Sequence, residues 1–391
     1  MPPQRSSLPT PDDYFLEVLK IVNGALSGDR AKVVTYTEKL AEKLELGGSE
    51  RAAAKLRRSL SEHPQVSYTN ASFPEVSPVP VDSESRLPLA DQEILEPDAS
   101  RVFLDPAVRQ RLDEFLCYTQ SANQLLAHGV GIAPSMLVYG PPGCGKTEIA
   151  RFISAQLRLP LLTARSDSLI SSFLGSTAKN LRLLFESAMR RPCVLFLDEF
   201  DALAKKRDDK NELGELKRVV ISLLQNLDAL DGKTVVVAAT NHEHLLDPAV
   251  WRRFSYRLEV KAPALPTRAK IFERYLREFA PPEGIDSLAK LSEGLTGADI
   301  KDAAEDSIRQ AILEGESTAS LDSILRRVLR NRLGQHFSWL PTDDNIREVR
   351  RLSGDIFTYR RIASLFDVSL GKISSVLSEE ESEHGQGEIT N

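Results

Sequence analysis

The sequence predicts an α/β fold: a parallel-sheet core, a small α-helical lid, and helical modules at both ends of the chain. Three observations predict it. A glycine-rich loop stands between an apolar strand and a helix start. Two further apolar runs end in polar residues, as buried parallel strands do at their carboxyl ends. Helical periodicity brackets the whole. With 391 residues the chain has room for two or three domains and a sizeable core.

The loop is Gly140-Pro141-Pro142-Gly143-Cys144-Gly145-Lys146-Thr147, and Glu148 follows it. Met136-Leu137-Val138-Tyr139 before it reads as a strand, and Glu148 to Ile153 as a helix start. Glycines let the backbone curl so that N–H groups face a polyphosphate, and the helix N-terminus adds its positive end. Lys146 is placed for the terminal phosphates and the Thr147 hydroxyl for Mg²⁺. The pattern implies a P-loop NTPase core that binds a nucleoside triphosphate. The second run, Cys193-Val194-Leu195-Phe196-Leu197, ends in Asp198-Glu199. There Asp198 would hold the Mg²⁺ shell and Glu199 would polarise the attacking water. An Asp-Glu pair by itself is usually a solvated strand end; behind the lysine loop it reads as a hydrolytic pair. The third run, Val235 to Thr240, ends in Asn241, whose amide suits a sensor of the γ-phosphate. Arg252 and Arg253 follow, and guanidinium neutralises charge on a transferring phosphoryl group.

The order of these elements resembles the AAA family of ATPases. The loop corresponds to Walker A, Leu195 to Leu203 to Walker B, and Leu223 to Phe254 to the second region of homology. The segment Gly294 to Ile300 is similar to the family's small-domain motif, which implies that Gly297 and Ala298 pack near the adenine of ATP. The resemblance covers about residues 100–330. It implies that Arg252 and Arg253 act on a neighbour's nucleotide, and hence a homo-oligomer, a ring usually of six with head-to-tail interfaces. It also implies a pore loop at Phe173, Leu174 and Gly175 that grips a polypeptide. The alternative for Phe173 and Leu174 is core at the start of the next helix. The charged run Lys205 to Lys210 would line the pore lower down, or is a solvated loop.

Composition sets the outer limits. Net charge is −6 with 27% charged residues, so no polyanionic partner is demanded across the surface. No apolar stretch approaches the roughly 20 residues that span a bilayer, so no membrane partner is expected. The first residues lack the apolar centre of a signal peptide. Cys117, Cys144 and Cys193 read as reduced thiols of a cytoplasmic protein. The six histidines show no metal-ligand spacing; His242 and His244 read as loop surface.

The flanks divide into modules. Residues 1–62 read as a helical docking module, with Tyr14, Phe15, Val18, Leu19 and Val22 at helical spacing. Residues 63–100, rich in proline and serine, read as a flexible linker. Residues 101–264 form the large α/β ATPase domain, into which a helix opening at Asp105-Pro106 carries Leu112, Phe115, Leu116, Leu125 and Leu126. Residues 265–335 form the helical lid, and residues 336–378 a helix-turn-helix-like unit. In it Phe366 to Ser369 turn, Ser369 caps, and Ile373, Val376 and Leu377 face the core. DNA binding through residues 342–378 is open, though Arg347, Arg350, Arg351, Arg360, Arg361 and Lys372 are nearly balanced by acids. Residues 379–391 read as an acidic disordered tail.

These expectations converge on an ATP-hydrolysing ring that remodels or translocates a protein, handing it to a protease or dismantling a complex. The alternatives are a DNA-associated ATPase recruited by the C-terminal unit and a nucleotide-dependent regulatory switch.

Overall fold

A computed structural model describes residues 12–26, 30–47, 49–62, 79–82, 85–97, 102–130, 133–169, 176–204, 215–230, 232–334 and 337–387. The chain divides into two compact units, residues 1–70 with 120–131, and residues 71–119 with 132–391.

The larger unit is built on six strands: β1 (Ala90–Glu93), β2 (Ser135–Tyr139), β3 (Leu161–Ala164), β4 (Val194–Leu197), β5 (Val235–Thr240) and β6 (Tyr256–Glu259). Their order across the sheet is β1-β3-β4-β5-β2-β6. All neighbours run parallel except β1, which pairs antiparallel with β3. Every residue of β4 and β5 is buried, as expected of continuous apolar runs covered on both faces. On one face Leu137, Leu195, Leu197, Val236 and Ala238 share a core with Leu181, Leu184 and Phe185 of helix Ser176–Met189 and Leu223 of helix Glu215–Asp228. Helix Lys146–Leu157 packs against β3, β4 and β5.

Part of the expected linker is ordered. Leu89 and Ala90 are fully buried in that same core. β1 registers Ala90 against Ala164 through to Glu93 against Leu161. Prolines and acids there suit an edge strand, which needs ladder bonds on one side only. Residues 63–78 lie outside the described residues.

The lid comprises helices Leu265–Leu276, Ile285–Leu291, Gly297–Glu314 and Leu321–Leu333. Its core does not stop at residue 335. Ile271, Phe272, Ile300, Leu325 and Leu329 are continuous with Ile346, Val349, Phe357, Ile362, Phe366, Ile373 and Leu377. Helices Tyr359–Phe366 and Leu370–Gly387 flank a turn in which Asp367 takes the left-handed conformation (φ 55°). Ser369 Oγ accepts the Lys372 amide at 3.4 Å. The acidic run expected as a disordered tail is instead written into this last helix as far as Gly387, because no proline or glycine interrupts Glu379 to Glu383.

The smaller unit holds helices Asp12–Leu26, Arg30–Leu46 and Glu50–Glu62, which pack consecutively. Its first helix is inverted. Phe15, Leu16, Val18, Leu19 and Val22 are exposed, whereas Glu17 is buried and pairs with Lys43 at 2.9 Å. That bond holds the Glu17 carboxyl below its ordinary range. Leu112, Phe115 and Leu116 enter the core as expected, but residues 120–131 group with this smaller unit and Leu126 is exposed.

Candidate active site

β2 delivers the chain into the loop, and the loop glycines are used where the backbone demands them. Gly140 has φ +142°, and a Cβ there would lie 2.0 Å from the Val260 carbonyl oxygen. The residue that follows β6 therefore leaves room only for a glycine. Gly143, at φ +76°, faces the lid: a Cβ would lie 2.6 Å from Thr296 Oγ1, and its carbonyl accepts the Ala298 amide at 3.0 Å. Gly145 starts helix Lys146–Leu157 with no side-chain cap, so the first-turn N–H groups are left to an anion.

Lys146 is buried, and its Nζ donates to the carbonyls of Gly140 (2.8 Å) and Pro141 (2.7 Å). Burial pushes its ammonium below the ordinary lysine value. An ammonium held on two carbonyls and desolvated is poised to exchange them for phosphate oxygens, which would restore its preference for charge. Thr147 Oγ1 donates to Asp198 Oδ2 at 3.1 Å, so one hydroxyl and one carboxylate oxygen converge as a Mg²⁺ shell requires. Asp198 Oδ1 accepts the Glu199 amide at 2.9 Å. Glu199 sits at φ +48°, a left-handed conformation that costs a non-glycine residue energy and recurs at functional sites. Ser166 Oγ stands 3.5 Å from its Oε2.

Asn241 ends β5 and lines the same cleft as Lys146, Thr147, Glu148, Asp198 and Glu199. Asp201, within Walker B, accepts the Thr240 hydroxyl at 2.6 Å, and Thr240 Oγ1 in turn accepts the His242 amide at 2.9 Å. The end of β5 is thereby tied to the segment that follows β4. Sequence reading missed Asp201 and Thr240, for which spacing gives no signal. The cleft has a volume of about 830 Å³, ample for a nucleotide. Gly297 and Ala298 form its lid wall, with Ile271, Tyr275 and Lys301 beside them. Residues 102–105 also line it and were not singled out from sequence as site residues.

Arg252 and Arg253 are not brought to this cleft. They follow the turn Pro248–Trp251, which Asp247 caps through the Ala249 amide at 2.8 Å. Arg253 forms a bidentate pair with Asp228 at 2.6 and 3.0 Å, and Arg252 is exposed. Phe173, Leu174, Gly175 and the run Lys205 to Lys210 lie outside the described residues. His242 and His244 stack edge-on at 5.9 Å and are exposed; no cluster of three or more His, Cys, Asp or Glu fit for a metal occurs among the described residues.

Three cations of the C-terminal unit bind within the protein, whereas Arg351 and Arg360 are exposed. Lys372 Nζ donates to the Pro341 carbonyl at 2.7 Å, Arg361 pairs with Asp322 at 2.5 Å, and Arg350 donates to the Gly354 and Phe357 carbonyls. Arg326 from the lid donates to the Leu365 carbonyl at 2.9 Å. Lys372, Arg350 and Arg361 are spent on internal carbonyls and on the lid, so the DNA expectation draws no support from them.

Sheet order, phosphate loop and acidic strand end define a P-loop nucleoside triphosphatase. The description "ATPase family associated with various cellular activities (AAA)" matches residues 136–262. The AAA family ATPase y4kL of Sinorhizobium fredii is 34% identical over 311 residues, 76% of this chain and 91% of that protein. The chain belongs to the AAA family and is an ATPase. Proteasome-activating nucleotidases are also similar: that of Aeropyrum pernix is 35% identical over 217 residues, and that of Saccharolobus solfataricus 33% over 210. The chain spans 53% of the length of each. No described helix is long and apolar enough to cross a membrane.

Proposed function

We propose that this chain is one subunit of a ring that uses ATP hydrolysis to remodel or translocate protein. The observation that carries the reading is the position of Arg252 and Arg253 outside the cleft of their own chain, on an exposed turn. A cleft completed by a neighbour's guanidinium hydrolyses ATP only in an assembly.

Within the cleft the loop amides and Lys146 hold the polyphosphate, and Thr147 with Asp198 would hold Mg²⁺. The ion, when bound, neutralises phosphate charge. Glu199 takes a proton from the attacking water, and Asn241 aligns that water against the γ-phosphate. Arg252 of the next subunit compensates the charge that develops, and Arg253, held by Asp228, fixes the turn that presents it. Phe173 and Leu174 give an apolar, sequence-tolerant grip in the pore, with Gly175 as the swivel. The exposed apolar face of helix Asp12–Leu26 suits the docking of a protein partner. The name of the archaeal relatives supports a protease as the recipient.

The test is ATP turnover per chain across a dilution series. It should rise with concentration in the wild-type protein, whereas Arg252→Ala should stay roughly 10³-fold below the assembled wild type and show no such rise. Dilute monomer that cleaves ATP as fast as concentrated protein would refute the ring.

A further inference from the structure

Asp105 does two jobs at once. Its backbone carbonyl accepts the Arg109 amide at 2.9 Å and so opens helix Pro106–Gln120 of the ATPase core. Its carboxylate reaches a different helix, the first of the lid. Oδ1 and Oδ2 accept the Ala264 amide at 3.1 and 3.2 Å, and Oδ1 accepts the Thr267 hydroxyl at 2.5 Å.

The lid helix Leu265–Leu276 needs that help. Its N-cap is Ala264, which supplies no side-chain acceptor, although its backbone (φ −68°, ψ 163°) is that of an ordinary N-cap. Alanine is among the poorest residues there. In a capping box the third helical residue sends a carboxylate back to the N-cap amide; that place is held here by Thr267. Asp105, 159 residues away along the chain, completes the box from the other domain. A carboxylate at a helix N-terminus is also favoured by the macrodipole.

The rest of the joint points the same way. Phe103 packs against the lid core. Arg268, buried, donates Nε to the Ala289 carbonyl and Nη1 to the Pro263 carbonyl, both at 2.8 Å, so the connection out of β6 is bound tightly to the lid. Asp105, Thr267, Gly297 and Ala298 all line the nucleotide cleft. The lid is thus tied to the ATPase core at two places, to the phosphate loop at Gly143–Ala298 and to the start of helix Pro106–Gln120 at Asp105–Ala264.

We propose that Asp105 is a positioning residue for ATP binding: by capping the first lid helix from the ATPase core, it sets the lid angle and thereby nucleotide affinity. Glu199, Asn241 and Lys146 stand on the core side of this joint, so the hydrolytic step itself depends on Asp105 far less.

The experiment compares the full-length protein with Asp105→Ala, Asp105→Asn, and Asp105→Ala combined with Ala264→Ser. The last provides a local N-cap without the link between domains. Affinity is read with a fluorescent (methylanthraniloyl) ADP analogue, together with KM and kcat for ATP and the melting temperature. Asp105→Ala should weaken analogue binding and raise KM about tenfold, the scale of a lost charge-assisted bond, while kcat changes by less than about threefold. Asp105→Asn, which still accepts from Thr267, should fall between. Adding Ala264→Ser should restore the melting temperature and leave the affinity weak. Analogue binding within about twofold of wild type in Asp105→Ala would overturn the proposal. Recovery of affinity together with melting temperature in the double variant would overturn it too, since capping alone would then explain everything.

Discussion

Cys144 and Lys146 show how the loop tunes its own chemistry. Cys144 is buried, and burial pushes its thiol above the ordinary value, with the nearby Lys146 ammonium opposing. The thiolate is the charged form, so a raised value leaves the neutral thiol dominant through neutral pH and lets reactivity climb only in alkali. Cys117 is exposed. Iodoacetamide at pH 7.5 should therefore label Cys117 well ahead of Cys144, and Cys144 should catch up as pH rises and slow again when ATP is added. Mass spectrometry showing Cys144 alkylated as fast as Cys117 at pH 7.5 contradicts this. Pro142 to Thr147, Asp198, Glu199 and Asn241, which residue types alone single out, line one cleft. The Thr240–Asp201 bond could not be read that way, because a common threonine and a common aspartate carry no spacing rule.

Strand β1 is the clearest case of context overriding composition. Proline, serine and acids around residues 79–97 read as a tether, yet Leu89 is fully buried beside β3. An edge strand tolerates such residues because only one side of its backbone is paired. Leu89→Ala should cost about 2–5 kcal/mol, the range for truncating a buried leucine, and lower the melting temperature measurably. A variant that melts with wild type would return the segment to the linker. Helix Asp12–Leu26 errs the other way. Its periodicity is legible, but the burial of Glu17 against Lys43 leaves the apolar face outward, and periodicity cannot say which side of a helix is covered.

The lid and the C-terminal unit behave as one body. Ile324, Leu325, Val328 and Leu329 of the last lid helix lie in the same core as Ile346, Ile362 and Phe366. Asp322 accepts both Arg361 and Ser364 across the join, and Arg326 stacks 5.8 Å from the Trp339 ring. Deleting everything after Gln335 should therefore strip apolar cover from the lid, and ATP turnover should fall along with folding, read by circular dichroism and ATPase rate. A truncated chain that stays folded and hydrolyses ATP within about twofold of the parent would show the C-terminal unit to be dispensable to the lid.

The sequence by itself determined the residue types at the site: a glycine loop with its lysine, an acidic strand end and an asparagine after a buried strand are local patterns, since each rests on residues adjacent in the chain. The tertiary structure alone decided which partners those patterns meet. Asp105 capping a helix 159 residues distant, Gly140 lying against Val260, and Lys372 turned onto the Pro341 carbonyl depend on long-range packing. No local signal encodes a contact between segments that only the folded core brings together.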